Sequence, residues 1–222
     1  MRLTDVKKAY GVHTVLDGLS LEIPDGEITC ILGRSGVGKT TLLNVVAGVA
    51  SFDGKVDVAP KSVGYVFQEN LLIPHLTLRQ NLQYVGGRDE LIDKLLSECG
   101  LETLANRRAG MLSGGEKRRA AVLRAFCVDA DCILLDEPFS ALDTVTKERM
   151  MDLTYRLVRL QNKTAVFVTH DVDEALAMAD KVAVLGDGKI VFELKLPTAN
   201  GLRGFGELSK EREEILSTLR NM

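Results

Sequence analysis

An α/β fold with a mainly parallel central sheet is predicted by three observations. Short, continuous apolar runs occur at Glu27-Ile28-Thr29-Cys30-Ile31-Leu32, Cys132-Ile133-Leu134-Leu135 and Thr164-Ala165-Val166-Phe167-Val168, as expected for strands buried on both faces. Helical patterning lies close after each, at Thr40 to Ala47, Thr144 to Leu160 and Val172 to Ala179, the first helix ended by Gly48. Strand and helix therefore alternate along the chain, which is the order that builds a parallel sheet covered by helices.

The 222 residues, 45% hydrophobic and 27% charged, suffice for one sizeable core, so a single domain over 1–222 is expected. Towards the N-terminus the pattern becomes alternating, in Leu3 to Lys8 and Leu19 to Ile23, broken by Gly11, Gly18 and Pro24-Asp25-Gly26; this predicts an antiparallel layer with tight turns. Between Thr77 and Leu104 the strand signal vanishes, and Leu78 to Leu82 and Glu90 to Leu96 have helical spacing. Residues 70–128 are accordingly expected to form a helical subdomain inserted between core segments 1–69 and 129–222. Ser209 to Leu219 predicts a charged amphipathic helix with Ile215, Leu216 and Leu219 on one side.

A net charge of −3 offers no broad positive field for nucleic acid or anionic lipid, so neither is expected as a partner. Cys30, Cys99, Cys127 and Cys132 stand singly among apolar neighbours, as small buried thiols do, which predicts a reducing compartment. There is no apolar leader after Met1, and no run approaches the ~18 residues that span a bilayer. The chain is expected to be cytosolic in its own right, with any membrane role supplied through a partner.

Gly33-Arg34-Ser35-Gly36-Val37-Gly38-Lys39-Thr40 fits GxxxxGK[ST] between a strand and a helix, the context that gives the pattern meaning. Glycines let backbone N–H groups and the helix start point at phosphates. Lys39 brings a mobile cation, the Thr40 hydroxyl is placed for magnesium, and Thr41 is a second hydroxyl nearby. The run Cys132 to Leu135 ends in Asp136-Glu137 before Pro138. Asp136 can stand by the metal through water and Glu137 can polarise attacking water, although acids also end strands without a catalytic task.

Ser113-Gly114-Gly115-Glu116 admits two readings. Ser-x-x-Glu before an apolar helix is a capping box. Capping leaves unexplained the two glycines in a first helical turn and the cationic Lys117-Arg118-Arg119 at an end already positive; an anion outside that end would explain both.

With these motifs in this order, the chain resembles the ATP-binding subunit of an ABC transporter over nearly its whole length. Gly33 to Thr41 is similar to the Walker A loop, Gln68 to the Q-loop glutamine, Leu112 to Glu116 to the signature, and Ile133 to Glu137 to the Walker B strand. Ser140-Ala141-Leu142-Asp143 resembles the D-loop, His170 the switch histidine, and Tyr10 falls where the family sets a ring against adenine. The resemblance implies the P-loop NTPase fold of ABC ATPases: a mainly parallel core sheet, an antiparallel layer and an inserted helical subdomain. It implies ATP and Mg2+, with Thr40, Gln68 and Asp136 near the metal and Glu137, His170 and Gln68 in catalysis. The implied nucleotide set is Tyr10, the loop Gly33, Arg34, Ser35, Gly36, Val37, Gly38, Lys39, Thr40 and Thr41, then Ser113, Gly114, Gly115 and Asp143. Two copies would close head to tail, each ATP lying between one Walker loop and the other copy's signature.

Phe67 to Thr77 resembles the importer form of the Q-loop, where membrane-spanning subunits dock, so a permease is expected near residues 69–80, with Leu71, Leu72, Ile73 and Leu76 exposed for it. Asp171 to Leu176 looks most like the nitrate, sulfonate and taurine uptake group, whose relatives also serve thiamine precursors. The implied setting is peripheral, on the cytoplasmic side of the cell membrane, with a solute-binding protein as an indirect partner. The alternatives are a cell-division or lipoprotein-release ATPase, a soluble ABC protein acting on DNA or ribosomes, and a nucleotide module without turnover. His13 and His75 are read as structural or exposed.

Overall fold

Alternating residues at the N-terminus form β1 (Arg2–Tyr10) and β2 (His13–Glu22), antiparallel from Arg2 opposite Glu22 to Tyr10 opposite His13. The computed structural model describes residues 1–140, 142–204 and 206–222. The in-facing Leu3, Val6, Leu16, Leu19 and Leu21 are buried. Next come β3 (Ile28–Leu32) and α1 (Lys39–Val46). A strand the sequence reading did not anticipate, β4 (Asp53–Asp57), joins the free edge of β1 and completes a three-stranded sheet in the order β2-β1-β4.

After β5 (Val63–Val66), three helices follow without a strand: α2 (Leu78–Gln83), α3 (Asp89–Glu98) and α4 (Gly114–Cys127). The chain then runs through β6 (Cys132–Asp136), α5 (Thr144–Leu160), β7 (Thr164–Thr169), α6 (Val172–Met178), the hairpin β8 (Lys181–Gly186) and β9 (Lys189–Lys195), and α7 (Ser209–Arg220). The main sheet has the order β5-β6-β7-β3-β8-β9, parallel except where β9 returns against β8.

Successive residues of a strand point to opposite faces, so a strand apolar throughout must serve two cores. In β6, Cys132 and Leu134 join a cluster with α1 and the antiparallel layer, whereas Ile133 and Leu135 join one with the helices on the other face. Helix α4 lies directly on the edge strand: a Cβ on Gly64 would fall 2.3 Å from the Ala125 carbonyl oxygen, so only glycine permits this approach. Ile215 of α7 is fully buried, with Leu216 and Leu219 packed partly against the same core. All four cysteines are buried and free.

The expectation for residues 71–76 needs correction. Leu71 is exposed, at φ +44, but Leu72, Ile73 and Leu76 are half-buried and Leu72 packs against the core. The reason is the buried Asn81 side chain, which accepts from Ile73 N–H at 2.7 Å and donates to the Ile73 and Thr77 carbonyls at 3.1 and 2.9 Å, folding the segment down onto α2.

Candidate active site

The loop between β3 and α1 leaves its helix start open. Gly38 is the N-cap, no side chain caps it, and the first turn carries no acid. Orphan N–H groups and the positive helix end therefore face outward together. Gly38 has φ +109 and a Cβ there would meet Val15 Cγ1 at 2.8 Å, so both conformation and space require glycine. Lys39 folds back over the loop: its Nζ, in a side chain only 5% exposed, donates to the carbonyls of Gly33 (2.9 Å) and Arg34 (3.1 Å) and lies 3.8 Å from Glu137 Oε1. Burial lowers the Lys39 pKa, against the opposing pull of Glu137 and then Asp136.

Strand β6 delivers the two carboxylates differently. Asp136 is buried at the strand end; burial pushes its carboxyl up, opposed by the neighbouring Thr40 side chain. Glu137, one residue on, has φ +44 and is held by its N–H on the Val168 carbonyl of β7 at 3.1 Å. His170, just past β7, brings Nδ1 to 3.5 Å from Glu137 Oε1. Beneath His170 a chain of ions joins α5 to α6: Lys147 contacts Asp171 (2.7 Å) and Glu174 (2.6 Å), and Thr169 donates to Glu174.

These groups border a cleft of about 370 Å³. Ser35, Gly36, Gly38, Lys39, Thr40 and Thr41 line one side, Gln68 and Glu137 another, and Tyr10 stands at its mouth with Lys8 Nζ 4.8 Å from its ring centroid. His13, read from the sequence as structural or exposed, also lines it, because its pairing opposite Tyr10 sets both rings at the same edge. Gly33 and Val37 lie behind the cleft, and Arg34 turns away, donating to the Leu219 carbonyl at the end of α7 at 3.2 Å. A hard cation is served by hydroxyl, carboxylate and phosphate oxygens, and the Thr40–Asp136 pair fits that donor chemistry. Among the described residues no cluster of three acidic, histidine or cysteine groups stands ready as a cage, so a metal here would depend on phosphate oxygens as well.

Ser113, Gly114, Gly115 and Asp143 do not line this cleft. Ser113 and Glu116 form both arms of the capping box on α4: Ser113 N–H donates to Glu116 Oε2 at 2.7 Å and Ser113 Oγ accepts from Glu116 N–H at 3.3 Å. Asp143 caps α5 by accepting from Thr146 N–H at 3.1 Å; Ala141 of the same segment lies outside the described residues. The cationic trio after Glu116 does not point to an anion at that helix end. Arg118 is buried with its guanidinium on backbone carbonyls, and Arg119 donates to the Cys99 carbonyl, so both are engaged within the chain.

A family model described as "ABC transporter" matches residues 16–140, more than half the chain. The chain is 39% identical over 207 residues to the aliphatic sulfonates import ATP-binding protein SsuB 2 of Burkholderia cenocepacia, covering 87% of this chain and 77% of that one. To its namesake in Pseudomonas syringae pv. tomato it is 42% identical over 194 residues, covering 85% and 84%. To the sulfate/thiosulfate import ATP-binding protein CysA of Synechocystis it is 38% identical, covering 85% of this chain and 58% of the relative. The dimeric structure of a bacterial ABC transporter cassette matches with a TM-score of 0.79 at 30% identity, over 89% of this chain and 99% of that one; a post-hydrolysis form of the cassette, bound to ADP and Pi, matches at 0.78.

Fold and matches together define a nucleotide-binding ATPase of the phosphate-loop class. The chain belongs to the ABC transporter family, as one of its ATP-binding subunits.

Proposed function

We propose that this chain is the ATPase of an importer for a small solute, with an aliphatic sulfonate or a related oxyanion as cargo. The sulfonate and sulfate relatives support the cargo class. One observation carries the enzymatic reading: Lys39, the Thr40–Asp136 pair and the Glu137–His170 pair converge on the uncapped start of α1. Backbone N–H groups and Lys39 hold the β and γ phosphates there, and Tyr10 covers the adenine. Magnesium, bound by Thr40, Asp136 and Gln68, would neutralise charge on the phosphate oxygens. Glu137 accepts a proton from the attacking water, and His170 orients Glu137 and donates to the γ-phosphate.

In this reading a second identical copy completes each site with Ser113, Gly114 and Gly115, its Asp143 segment lying alongside. Removal of the γ-phosphate then weakens closure, which is how hydrolysis resets the pair. Residues 70–128 act as the helical subdomain between core segments 1–69 and 129–222. The permease docks beside the free edge of β5, where Val49, Phe67 and Arg124 border a groove of about 450 Å³ and Leu71 and Tyr84 stand exposed nearby. No helix among the described residues is long and apolar enough to cross a membrane, and docking to the permease would place the chain on the cytoplasmic face.

Glu137→Gln tests the catalytic reading. Turnover should fall by roughly a thousandfold, while gel filtration in MgATP should show a dimer accumulating; unchanged ATPase activity removes Glu137 from its role. Val49→Asp in the groove, combined with Leu71→Asp beside it, tests docking: the chain should leave membranes containing its permease with its soluble ATPase intact, and retained membrane association rejects this groove.

A further inference from the structure

Arg118 is a buried charge beside the site. Only 2% exposed, its guanidinium makes no ion pair among the described residues and turns to oxygens of two loops. Nη1 donates to the carbonyls of Phe67 (2.7 Å) and Gln68 (3.1 Å), with Asn70 Oδ1 at 3.5 Å. Nη2 donates to the carbonyls of Asp136 (2.8 Å) and Glu137 (2.5 Å), and Nε to that of Pro138 (2.7 Å). A guanidinium has five N–H donors in a rigid planar fork, so these contacts engage the whole group. One loop carries Gln68 and the other carries Glu137.

The carbonyls of Asp136 and Glu137 belong to the two peptide planes flanking the Glu137 Cα. With both planes anchored on one rigid fork, both backbone dihedrals of Glu137 are set. Its φ of +44 lies in the left-handed region, which a non-glycine residue keeps only when its surroundings hold it there.

We propose that Arg118 is a positioning residue for ATP hydrolysis: it holds Glu137 aimed at the cleft and locks it to the Gln68 loop, so that displacement of residues 67–70 moves the Glu137 carboxylate. This rests on Glu137 being the base. Because Arg118 rides on α4, the device also ties the Ser113 end of that helix to both loops. A lysine keeps the charge but offers a single point of attachment, which cannot span both loops.

The test is steady-state ATPase activity of the full chain. Arg118→Lys should lower kcat by about a hundredfold and leave the KM for ATP within about threefold. Arg203→Lys is the control, because Arg203 is another buried arginine bonded to carbonyls, those of Leu176, Ala179 and Pro197, and bonds to neither loop. It should lose comparable thermal stability and keep its kcat. Equal kcat losses in the two variants, or an unchanged kcat for Arg118→Lys, overturn the proposal. Should Arg118→Lys fail to fold, Arg118→Gln takes its place with the same expectations. In the unaltered protein, hydrogen exchange at Gln68 to Asn70 and at Glu137 to Ser140 should change together when MgATP is added, and a change confined to one loop also overturns it. An inactive Glu137→Gln beside a fully active Arg118→Lys rejects this inference alone; an active Glu137→Gln rejects the catalytic reading beneath it.

Discussion

Two helix starts in this chain carry glycines, and they are built on opposite plans. At α1 the cap is Gly38, no side chain satisfies the first N–H groups, and neighbouring Val15 forbids a side chain at Gly38. At α4 the cap is Ser113, Glu116 closes the box, and a Cβ at Gly114 would meet nothing within 4 Å, while one at Gly115 would meet only Leu142 at 3.9 Å. The first glycine is demanded by the chain's own fold. The second pair is not, although glycine inside a helix costs about 0.5–1 kcal/mol relative to alanine; in the proposed function the pair is kept small for a second copy. The difference teaches that α1 keeps its start open through a glycine its own fold demands, whereas α4 closes its start with its own side chains and still leaves room around its two glycines.

The largest test of that contrast pairs Lys39→Met with Ser113→Arg. Lys39→Met removes charge-assisted hydrogen bonds worth about 1.5–3 kcal/mol, so the isolated chain should bind MgATP roughly ten- to a hundredfold more weakly. Ser113→Arg should leave monomer affinity within about twofold and eliminate the MgATP-dependent dimer of the Glu137→Gln protein. Calorimetry measures the first effect and analytical ultracentrifugation the second. A dimer that persists in Ser113→Arg breaks the contrast, because the start of α4 would then not be a meeting surface.

A smaller test reverses sign between the two helices. Gly38→Ala forces a side chain into a left-handed conformation against Val15 and should destabilise the fold by more than about 1 kcal/mol. Gly115→Ala should stabilise it, by up to about 1 kcal/mol, while weakening the MgATP dimer. Thermal melts read both. A destabilised Gly115→Ala would mean that the glycine serves its own chain after all.

How much of this was legible beforehand follows from how local each signal is. The buried parallel strands and the phosphate loop are contiguous in sequence, so Ile28 to Leu32, Cys132 to Asp136 and Gly33 to Thr40 could be placed by pattern. Strand β4 is a polar edge strand reading Asp-Gly-Lys-Val-Asp, with no apolar alternation to notice. The β8–β9 hairpin carried a usable signal, Asp187-Gly188 between apolar runs, that the reading passed over. Arg118 could not be told from an exposed arginine on α4, because the carbonyls that bury it come from Phe67, Gln68 and the turn after β6. The partial burial of Leu72 and Leu76 follows from a nearer side chain, Asn81, whose amide ties Ile73 and Leu76 to α2 and which the periodicity of α2 does not single out.

The smallest effect concerns the charge at the start of α4. The Ser113 N–H, with lesser help from the Ser113 hydroxyl and nearby arginines, holds the Glu116 carboxyl below its ordinary range. A carboxylate whose pKa is depressed on folding adds stability above its unfolded pKa and loses that contribution as pH falls through the folded value. Glu116→Gln keeps an oxygen to accept from Ser113 and removes only the charge, so the variant should melt lower than the parent near pH 7, by about 0.3–1 kcal/mol. The gap should close below about pH 4, where the unfolded carboxylate is already protonated and the folded one follows. Dimerisation should move the other way. If a partner's phosphate meets this helix end, Glu116 repels it, so Glu116→Gln in the Glu137→Gln background should tighten the MgATP dimer even as it weakens the fold. At α1, where no acid stands in the first turn, no such opposition exists to be relieved. A charge-removing change that lowered stability and dimerisation together would place Glu116 in service of its own helix alone, and would take from the start of α4 its proposed role as a phosphate-facing surface.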